Sequence, residues 1–274
     1  LRQITLGENH FIKSPPSFNI WRAPTDNDEG GDARSFASKW LNAGYNDLKR
    51  EVISVNLEKK SNQTVVITVH EKHHSKKGNF DVIINYTFFG NGDLLVDLQA
   101  NMHAFLPVLP KLGVTMQLPE KYTTMSWYGR GPHESYVDRK HGAMMGIYSG
   151  AVKDQYFPYI RPQENGNKTD VRWATFSDED GAGLIIYGLP KLNLSAHLYA
   201  LENLTSATHT YMVEQNGPVT VNVDYKVMGL GGDDSWNPRT HEEYLIQPNS
   251  YDFSFMLRFT DDVEKNVDIA VPIY

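Results

Sequence analysis

The stretch FDVIINYTFFGNGDLLVDLQAN, residues 80–101, decides the fold class of this chain. Its two arms are rich in β-branched and aromatic residues, and the turn cluster GNGD at 90–93 separates them, so the stretch predicts a β-hairpin. The preceding run EVISVNLEKKSNQTVVITVH, residues 51–70, alternates apolar and polar residues across a polar turn, which is typical of a hairpin with one face in water. Both runs predict antiparallel strands joined by short turns.

The strand pattern continues along the second half of the chain. Short strands are predicted at residues 183–188, 192–199, 219–227 and 251–260, each bounded by Gly, Pro, Asn or Asp. Their spacing favours a large antiparallel β-sandwich. Helical periodicity is convincing only at 35–43, where Phe36 and Trp40 share a face and Gly44 provides a stop signal. We therefore expect an all-β chain with one or two short helices, the longest of them near residues 35–43.

Composition and patterning restrict the number of domains and the classes of partner. No repeat, low-complexity tract or linker interrupts the sequence, so residues 1–274 are expected to form a single β-sandwich domain. The net charge of −7 and the pI near 5.8 argue against nucleic acid as a partner. No apolar run approaches the roughly 20 residues that a membrane-spanning helix needs, so no membrane association is expected. These properties predict a soluble protein.

Cysteine usage and the first residue bear on where the chain comes from. The sequence contains no cysteine, which excludes disulfides, thiolate metal sites and a cysteine nucleophile, and which fits either the cytoplasm or a periplasm. The chain begins with Leu1 rather than Met. We therefore expect it to be a piece of a longer polypeptide.

The sequence offers no convincing metal or phosphate site. Gly229, Gly231 and Gly232 do not form a phosphate-binding loop, because no Lys-Ser/Thr pair follows them. His241 lacks the second histidine of a zinc-binding helix. The stretch DNDEGGD at 26–32 resembles a calcium loop, but Ala37 occupies the position where a bidentate Glu is needed. An ordered polar turn is the preferred interpretation of that stretch, and no metal site is expected in this chain.

Two segments are dense in the residue types that bind sugars. They are SWYGRGPHESYVDR at 126–139 and YFPYIRPQENG at 156–166. Their aromatic rings can stack on sugar faces while amides and carboxylates hold hydroxyl groups in a groove. Within them, His133, Glu164 and Asn165 are the candidate groove residues. The alternative interpretation is structural: the arginines of these segments would pair with nearby carboxylates to fix loops and a subunit contact, with Arg130 and Arg161 bound to Glu134, Asp138 or Glu164.

The loop MGLGGDDSWNP, residues 228–238, places an indole where water is expected. Its glycines allow cramped backbone conformations, and Asp233 and Asp234 can cap turn amides, so the loop is expected to be rigid. A rigid loop can direct the ring of Trp236 outward, where its flat apolar face suits the C–H face of a pyranose or the surface of another chain. The alternative is that Trp236 folds back and fills the core.

Four blocks of sequence carry a resemblance to a known family. They are NIWRAPTDND at 19–28, WYGRGPHESY at 127–136, RPQENG at 161–166 and MGLGGDDSWNP at 228–238. With these blocks in this order, the chain resembles, nearly end to end, the C-terminal domain of the large bacterial β-galactosidases of glycoside hydrolase family two. In heterodimeric forms of those enzymes, this domain occurs as a separate small subunit.

The resemblance implies a fold and a role for one side chain. The fold would be a large antiparallel supersandwich similar to that of galactose mutarotases. Trp236 would reach into the active site of a neighbouring catalytic barrel and form part of the platform on which the sugar stacks, in hydrolysis of terminal β-D-galactosides. The two catalytic glutamates, and a magnesium and often a sodium ion, would belong to that barrel, so this chain is expected to contain no catalytic residue and to bind no cofactor.

Partners follow from the same resemblance. The chain would associate with the catalytic barrel and the remaining domains of a bacterial β-galactosidase, contact the galactoside substrate, and belong to a parent protein that is a homo-oligomer. Two other functions stay open at this point. The chain could be an autonomous carbohydrate-binding or aldose-epimerase-like module, in which Glu164 works with His133 or His141, or it could be a purely structural interface domain.

Overall fold

The computed structural model describes residues 4–6, 9–31, 34–234 and 239–267. Trp236 and its neighbours at 235, 237 and 238 lie outside the described residues. Strands dominate the described ranges, and the all-β antiparallel class predicted from the hairpin runs is confirmed. The strands are β1 (Ile4–Leu6), β2 (Asn9–Ile12), β3 (Ser14–Asn19), β4 (Lys49–Lys59), β5 (Thr64–Ser75), β6 (Gly78–Phe89), β7 (Asp93–Asn101), β8 (Lys111–Leu118), β9 (Thr124–Gly131), β10 (Met144–Ala151), β11 (Lys168–Ser177), β12 (Gly183–His197), β13 (Val219–Val227) and β14 (Ser250–Thr260).

The helices of the described ranges are short. They are α1 (Asp26–Glu29), α2 (Phe36–Ala43), α3 (Leu201–Ser206) and α4 (Val263–Asn266). The longest is α2, as the periodicity at 35–43 predicts. It begins after Ser35, whose side chain accepts a hydrogen bond from the Ser38 N–H, and ends at Gly44 in the left-handed conformation. Its buried face carries Trp40, whose indole N–H donates to the Val108 carbonyl at 2.8 Å. None of the helices in these ranges is long and apolar enough to cross a membrane.

Twelve strands form one continuous antiparallel sheet. The main path runs β10-β9-β11-β12-β14-β7-β6-β5-β4, so the two hairpins predicted from alternation lie side by side at one end. A second branch leaves β12 and runs through β13 and β8 to β3. The strands β1 and β2 form a separate two-stranded sheet.

The strand β12 joins the two branches. Its first part, Gly183–Gly188, pairs with β14, and its last part, residues 193–197, pairs with β13. The sequence predicts two strands here because Gly188 and Pro190 are turn signals, but the strand continues through them while its partner changes. The sheet therefore folds over itself at β12, which gives the two layers of a sandwich.

One apolar core fills the space between the layers. Val96, Leu98 and Phe255 from the long branch and Val114 and Val221 from the short branch belong to the same cluster of buried side chains. The strands β6 and β7 alternate buried and less buried residues, because one face meets water. The strands β8 and β13 are instead buried along most of their length. Continuous burial of this kind explains why alternation alone does not reveal β8.

The glycine at the start of β12 lies where a side chain would collide with the neighbouring strand. A Cβ atom built on Gly183 would lie 1.8 Å from the Phe176 carbonyl oxygen, because Gly183 is paired on both sides, with Ser177 and with Thr260. Backbone atoms of a central strand cannot move away from each other without loss of ladder hydrogen bonds. A side chain at this position therefore has no space.

Gly183→Ala is expected to reduce the free energy of unfolding by about 1–3 kcal/mol, because the added methyl group overpacks the sheet. Urea denaturation followed by circular dichroism measures the change. Gly142→Ala is the matched control, since a Cβ on Gly142 meets nothing within 4 Å. Equal stability of the two variants would show that the sheet adapts at β12 without cost.

Candidate functional site

The loop that follows β13 is held by a buried arginine near the start of the chain. Arg22 is completely buried and forms a bidentate ion pair with Asp28, with Nη2 to Oδ1 at 2.8 Å and Nε to Oδ2 at 3.2 Å. Its remaining N–H groups donate to the carbonyls of Met228 at 2.6 Å and Gly229 at 3.3 Å. One guanidinium therefore connects two segments that are distant in sequence.

The counter-ion of Arg22 is fixed by the first turn of α1. Thr25 caps this helix: its hydroxyl accepts from the Asp28 N–H at 3.2 Å, and Asp28 Oδ2 accepts from the Thr25 N–H at 2.9 Å. This reciprocal arrangement is a capping box, which satisfies backbone donors that a helix start leaves free. In the stretch predicted to be a polar turn, residues 26–29 form α1, and its buried carboxylate, Asp28, binds Arg22.

Three further contacts hold the glycine loop from other sides. The Asn27 side-chain amide donates to the Leu230 carbonyl at 3.1 Å, the Gly231 N–H donates to Asp138 Oδ2 at 2.8 Å, and the Thr240 hydroxyl donates to the Gly229 carbonyl at 3.0 Å. The glycines are necessary: Gly231 and Gly232 have positive φ, and a Cβ on Gly229 would lie 2.6 Å from Asp138 Oδ2. The loop is anchored up to residue 231.

The two predicted loop aspartates lie on the exposed part of the loop. Asp233 Oδ2 contacts His241 Nε2 at 2.5 Å, and this hydrogen bond raises the pKa of the exposed imidazole. Asp233 therefore ties the segment before residues 235–238 to the segment after them. Asp234 is exposed, and Trp236, the predicted substrate contact, lies outside the described residues.

The second candidate segment, residues 156–166, leads from a partly exposed stretch into a buried one. Residues 162–169 are all buried, and a buried loop must satisfy its own polar groups. Asn165 does much of this: its Oδ1 accepts from the Phe157 N–H, and its Nδ2 donates to the Gln163 carbonyl and to the Tyr199 hydroxyl. Asn165, predicted to lie in a sugar groove, is fully used in holding the loop.

Glu164 is buried in the same loop, beside side chains that are distant from it in the sequence. Burial raises the pKa of its carboxyl to about 7, while Lys111 and Arg22 act in the opposite direction. It lines a cavity of about 10 Å³ together with His197 and Thr220. That volume holds about one water molecule and no sugar ring.

His197 has no motif that marks it in the sequence, and the structure places it against the loop. Its Nε2 lies 3.1 Å from the Asn165 carbonyl, its Nδ1 has no partner among the described residues, and burial lowers its pKa to about 3. It is therefore a neutral, buried imidazole. Its role in this geometry is to support the loop around Asn165.

His133 lies in a different place, at a large open cleft. The cleft has a volume of about 820 Å³ and is bordered by Glu134, Tyr159 and Lys168 as well as His133. Glu134 is its organising carboxylate: it accepts from the Arg139 guanidinium, from the Tyr159 hydroxyl and from the Gly166 N–H. His133 and Glu164 thus border separate cavities, and the structure does not bring them together.

The predicted arginine pairs are wrong in their partners. Arg130 binds Asp170 at 2.7 Å instead of a carboxylate in its own segment, because β9 and β11 are neighbours. Arg161 pairs with Glu29 of α1. Both arginines do fix loops, as the structural alternative proposed, but their partners come from other parts of the chain and could not be found from local spacing.

The segment 20–31 contacts both candidate loops. Gln163 donates to Asp26 Oδ2 at 3.1 Å and accepts from the Asp26 N–H at 3.2 Å, while Arg22 holds the glycine loop. In the described ranges, no three His, Cys, Asp or Glu side chains converge in a way that could hold a metal ion. The expectation that magnesium and sodium belong to a separate barrel stays a prediction.

Comparison with known proteins now accounts for these blocks. A family model described as the β-galactosidase small chain matches residues 1–257. The chain belongs to this family. The resemblance predicted from four sequence blocks is therefore confirmed, and those blocks supply the contacts described above: Arg22, Asp28, Asp138 and the loop 228–234 all lie in or beside them.

The curated relatives that match this chain are longer proteins. The chain is 37% identical over 241 residues to a β-galactosidase of Priestia megaterium, and 36% identical over 237 residues to one of Lactobacillus delbrueckii subsp. bulgaricus. These alignments cover 88% and 86% of the chain and 23% of each relative. The chain thus spans about a quarter of the length of the curated relatives that it matches.

Solved structures also align with this chain, at low sequence identity. A galactose mutarotase related enzyme from Lactobacillus acidophilus aligns with a TM-score of 0.46 and 10% identity, over 93% of this chain and 88% of that one. An α-galactosidase from Geobacillus stearothermophilus aligns with a TM-score of 0.40 and 9% identity, over 78% of this chain and 28% of that one.

Arg22→Met is expected to reduce the free energy of unfolding by about 3–5 kcal/mol, because it leaves the Asp28 carboxylate buried without its cation. Chemical denaturation measures this loss. Arg161→Met is the matched control, since it breaks an ion pair whose arginine is half exposed and should cost about 0–1 kcal/mol. Similar losses for the two variants would contradict the anchoring role of Arg22.

Glu164→Gln is expected to stabilise the protein relative to wild type as the pH rises. The folded-state pKa near 7 exceeds the ordinary value of 4.5, so the stability that protonated Glu164 contributes is complete below pH 4.5 and is lost as the pH rises through 7. Gln does not ionise, so the stability difference between variant and wild type should shift by about 2 kcal/mol in favour of the variant between pH 5 and pH 8. Denaturation curves at several pH values test this, with the exposed Glu120→Gln as control. A difference that stays constant with pH would refute it.

Proposed function

We propose that this chain completes the active site of a β-galactosidase by presenting Trp236 as a surface on which the sugar stacks. The catalytic barrel that it serves would lie in the remaining three quarters of the parent protein. The reaction would be the hydrolysis of terminal β-D-galactosides. The observation that carries the proposal is the anchoring of the glycine loop on both sides of residues 235–238.

Under this proposal, the anchoring of the glycine loop positions the indole of Trp236 for stacking. Before the indole, the backbone is held at Met228, Gly229 and Gly231. After it, Thr240 and His241 bond back to the same loop. A ring carried between two fixed arms can be positioned for stacking without a large loss of chain entropy when substrate binds. An indole face suits the C–H face of a pyranose.

The carboxylates of this chain support a division of labour between domains. A retaining glycosidase uses two carboxyl groups about 5–5.5 Å apart that face the substrate. Glu134 accepts three hydrogen bonds from its own loops, and Glu164 borders a cavity of about 10 Å³. The hydrogen bonds of Glu134 and the confinement of Glu164 support our assignment of the catalytic pair, and of the magnesium and sodium ions, to the barrel.

The geometry gives less support to an aldose-epimerase-like module. That activity needs an acid and a base that converge on an open ring. Glu164 and His133 border different cavities, and the histidine that does lie beside Glu164 is His197, in a space that admits about one water molecule. A purely structural interface domain remains as the outcome of the test if Trp236 makes no contribution.

Trp236→Ala in the intact parent enzyme is expected to reduce kcat/KM for a galactoside by a factor that corresponds to roughly 1–3 kcal/mol, because the stacking surface is lost. If the ring binds substrate and transition state equally, KM rises and kcat stays nearly unchanged. Steady-state kinetics with a chromogenic galactoside measure both constants.

Trp236→Phe provides the control for the ring itself. It retains an aromatic face and should recover most of the lost kcat/KM, whereas a role in packing alone would show as a lower melting temperature without a change in KM. Kinetics of Trp236→Ala that match the parent enzyme within error would defeat the proposal and leave the chain as a structural domain.

A further inference from the structure

Two lysines of the described residues are buried, and they differ in one respect. Lys111 and Lys168 are 1% and 2% exposed. The ammonium of Lys111 lies 2.9 Å from Asn222 Oδ1 and 3.3 Å from Asp224 Oδ2, which compensates its charge. The ammonium of Lys168 forms no hydrogen bond or ion pair with the part of the chain that the structure describes, and Lys168 borders an open cleft. Buried cations are normally paired, so the charge of Lys168 is available to an anion that enters this cleft.

The immediate surroundings of Lys168 do not supply this partner. Its ammonium lies 5.2 Å from the centroid of the Trp127 ring, and burial lowers its pKa to about 8. Glu134 is the carboxylate that acts on it electrostatically, but both Glu134 oxygens already accept hydrogen bonds from other groups. Lys121, elsewhere in the chain, has both an aromatic ring and a carboxylate as partners. Its Nζ lies 5.1 Å from the centroid of the Tyr122 ring and 2.8 Å from Asp178 Oδ2.

The space beside Lys168 is large enough for a ligand. Lys168 and Trp127 border the 820 Å³ cleft described above, a volume within the usual range for small-molecule sites. Phe157 and Tyr159 border the same cleft as a tilted pair of rings with centroids 4.5 Å apart, and Phe157 is 52% exposed. The cleft therefore combines the Lys168 ammonium, which has no bound carboxylate among the described residues, with an exposed aromatic surface.

We propose that this cleft binds an acidic monosaccharide, a hexuronic acid, whose carboxylate is received by Lys168 and whose pyranose ring lies against Phe157 and Tyr159. The carboxylate supplies the missing counter-charge, and the rings supply an apolar face for the C–H groups of the sugar. The proposal rests on Lys168 and the two rings, and it does not depend on the role assigned to Trp236.

The lining of the cleft favours a sugar acid over a neutral hexose and over inorganic phosphate. A neutral hexose would fill the space but would leave the Lys168 charge uncompensated. An inorganic phosphate would compensate the charge but would leave the aromatic surface and most of the volume unused, and strong phosphate sites add several backbone N–H donors. The described lining of this cleft contains no helix start that could supply them.

Calorimetric titration of the intact parent protein with galacturonate, galactose and inorganic phosphate tests the proposal. Because galactose also fits the active site proposed above, the binding assigned to this cleft is the part that differs between the wild type and Lys168→Met. Galacturonate is expected to bind at least about ten-fold more tightly than galactose, because its carboxylate forms a charge-assisted hydrogen bond with a buried ammonium. Lys168→Met, which keeps an unbranched apolar side chain of similar length and removes the charge, should abolish this preference. Lys121→Met should preserve it, since Lys121 lies over a ring but already has its carboxylate.

A second variant keeps the test decisive if Lys168→Met does not fold. Phe157→Ala changes an exposed ring and is expected to weaken galacturonate binding several-fold through loss of stacking. Equal binding of galactose and galacturonate, or no binding of galacturonate, would overturn the proposal. Phosphate that binds as tightly as galacturonate would also overturn it, since Lys168 would then accept any anion.

Discussion

The buried guanidinium of Arg22 is the interaction on which the rest of the candidate site depends. It satisfies Asp28, which closes the cap of α1, and it donates to two carbonyls of the glycine loop. A buried cation of this kind cannot be removed without leaving several polar groups unsatisfied. The glycine loop, α1 and the loop at 161–166 therefore form one connected polar unit at one end of an apolar sandwich, with the segment 20–31 at its centre.

This polar unit explains why a loop can be buried in a domain whose core is otherwise apolar. Residues 162–169 satisfy their backbone through side chains with paired donors and acceptors: Asn165 serves the loop itself, and the Asn167 amide donates to the Ser135 carbonyl. A loop fixed in this way keeps its shape without help from regular secondary structure. The same polar chemistry leaves Lys168, the first residue of β11, buried at the edge of an open cleft.

Local patterns predicted those elements whose determining residues lie within or beside the element itself. The two hairpins follow from alternation and a turn cluster, and α2 follows from its apolar face and Gly44. The strands β8 and β11 are buried over much of their length, so alternation is lost there. The strand β13 is buried in the same way but was predicted, because its valines follow a proline and precede a glycine. The site was predicted by resemblance at the level of blocks, but its contacts were not. The acceptor of Arg22 lies 206 residues further along, and no local rule connects them.

That separation has a consequence for the order in which the protein can form. The ribosome releases residue 22 before residue 228, so the guanidinium stays without its loop acceptors until the 206 residues between them have been added. The same holds for Arg258 and Asp93, which are 165 residues apart, and for β12, whose partner β14 follows β13. Contacts between residues so far apart in sequence slow folding, because the entropy cost of closing the loop comes before the contact can stabilise the chain. The polar end of the domain is therefore among the last regions to be completed, and it reports whether the whole chain has folded.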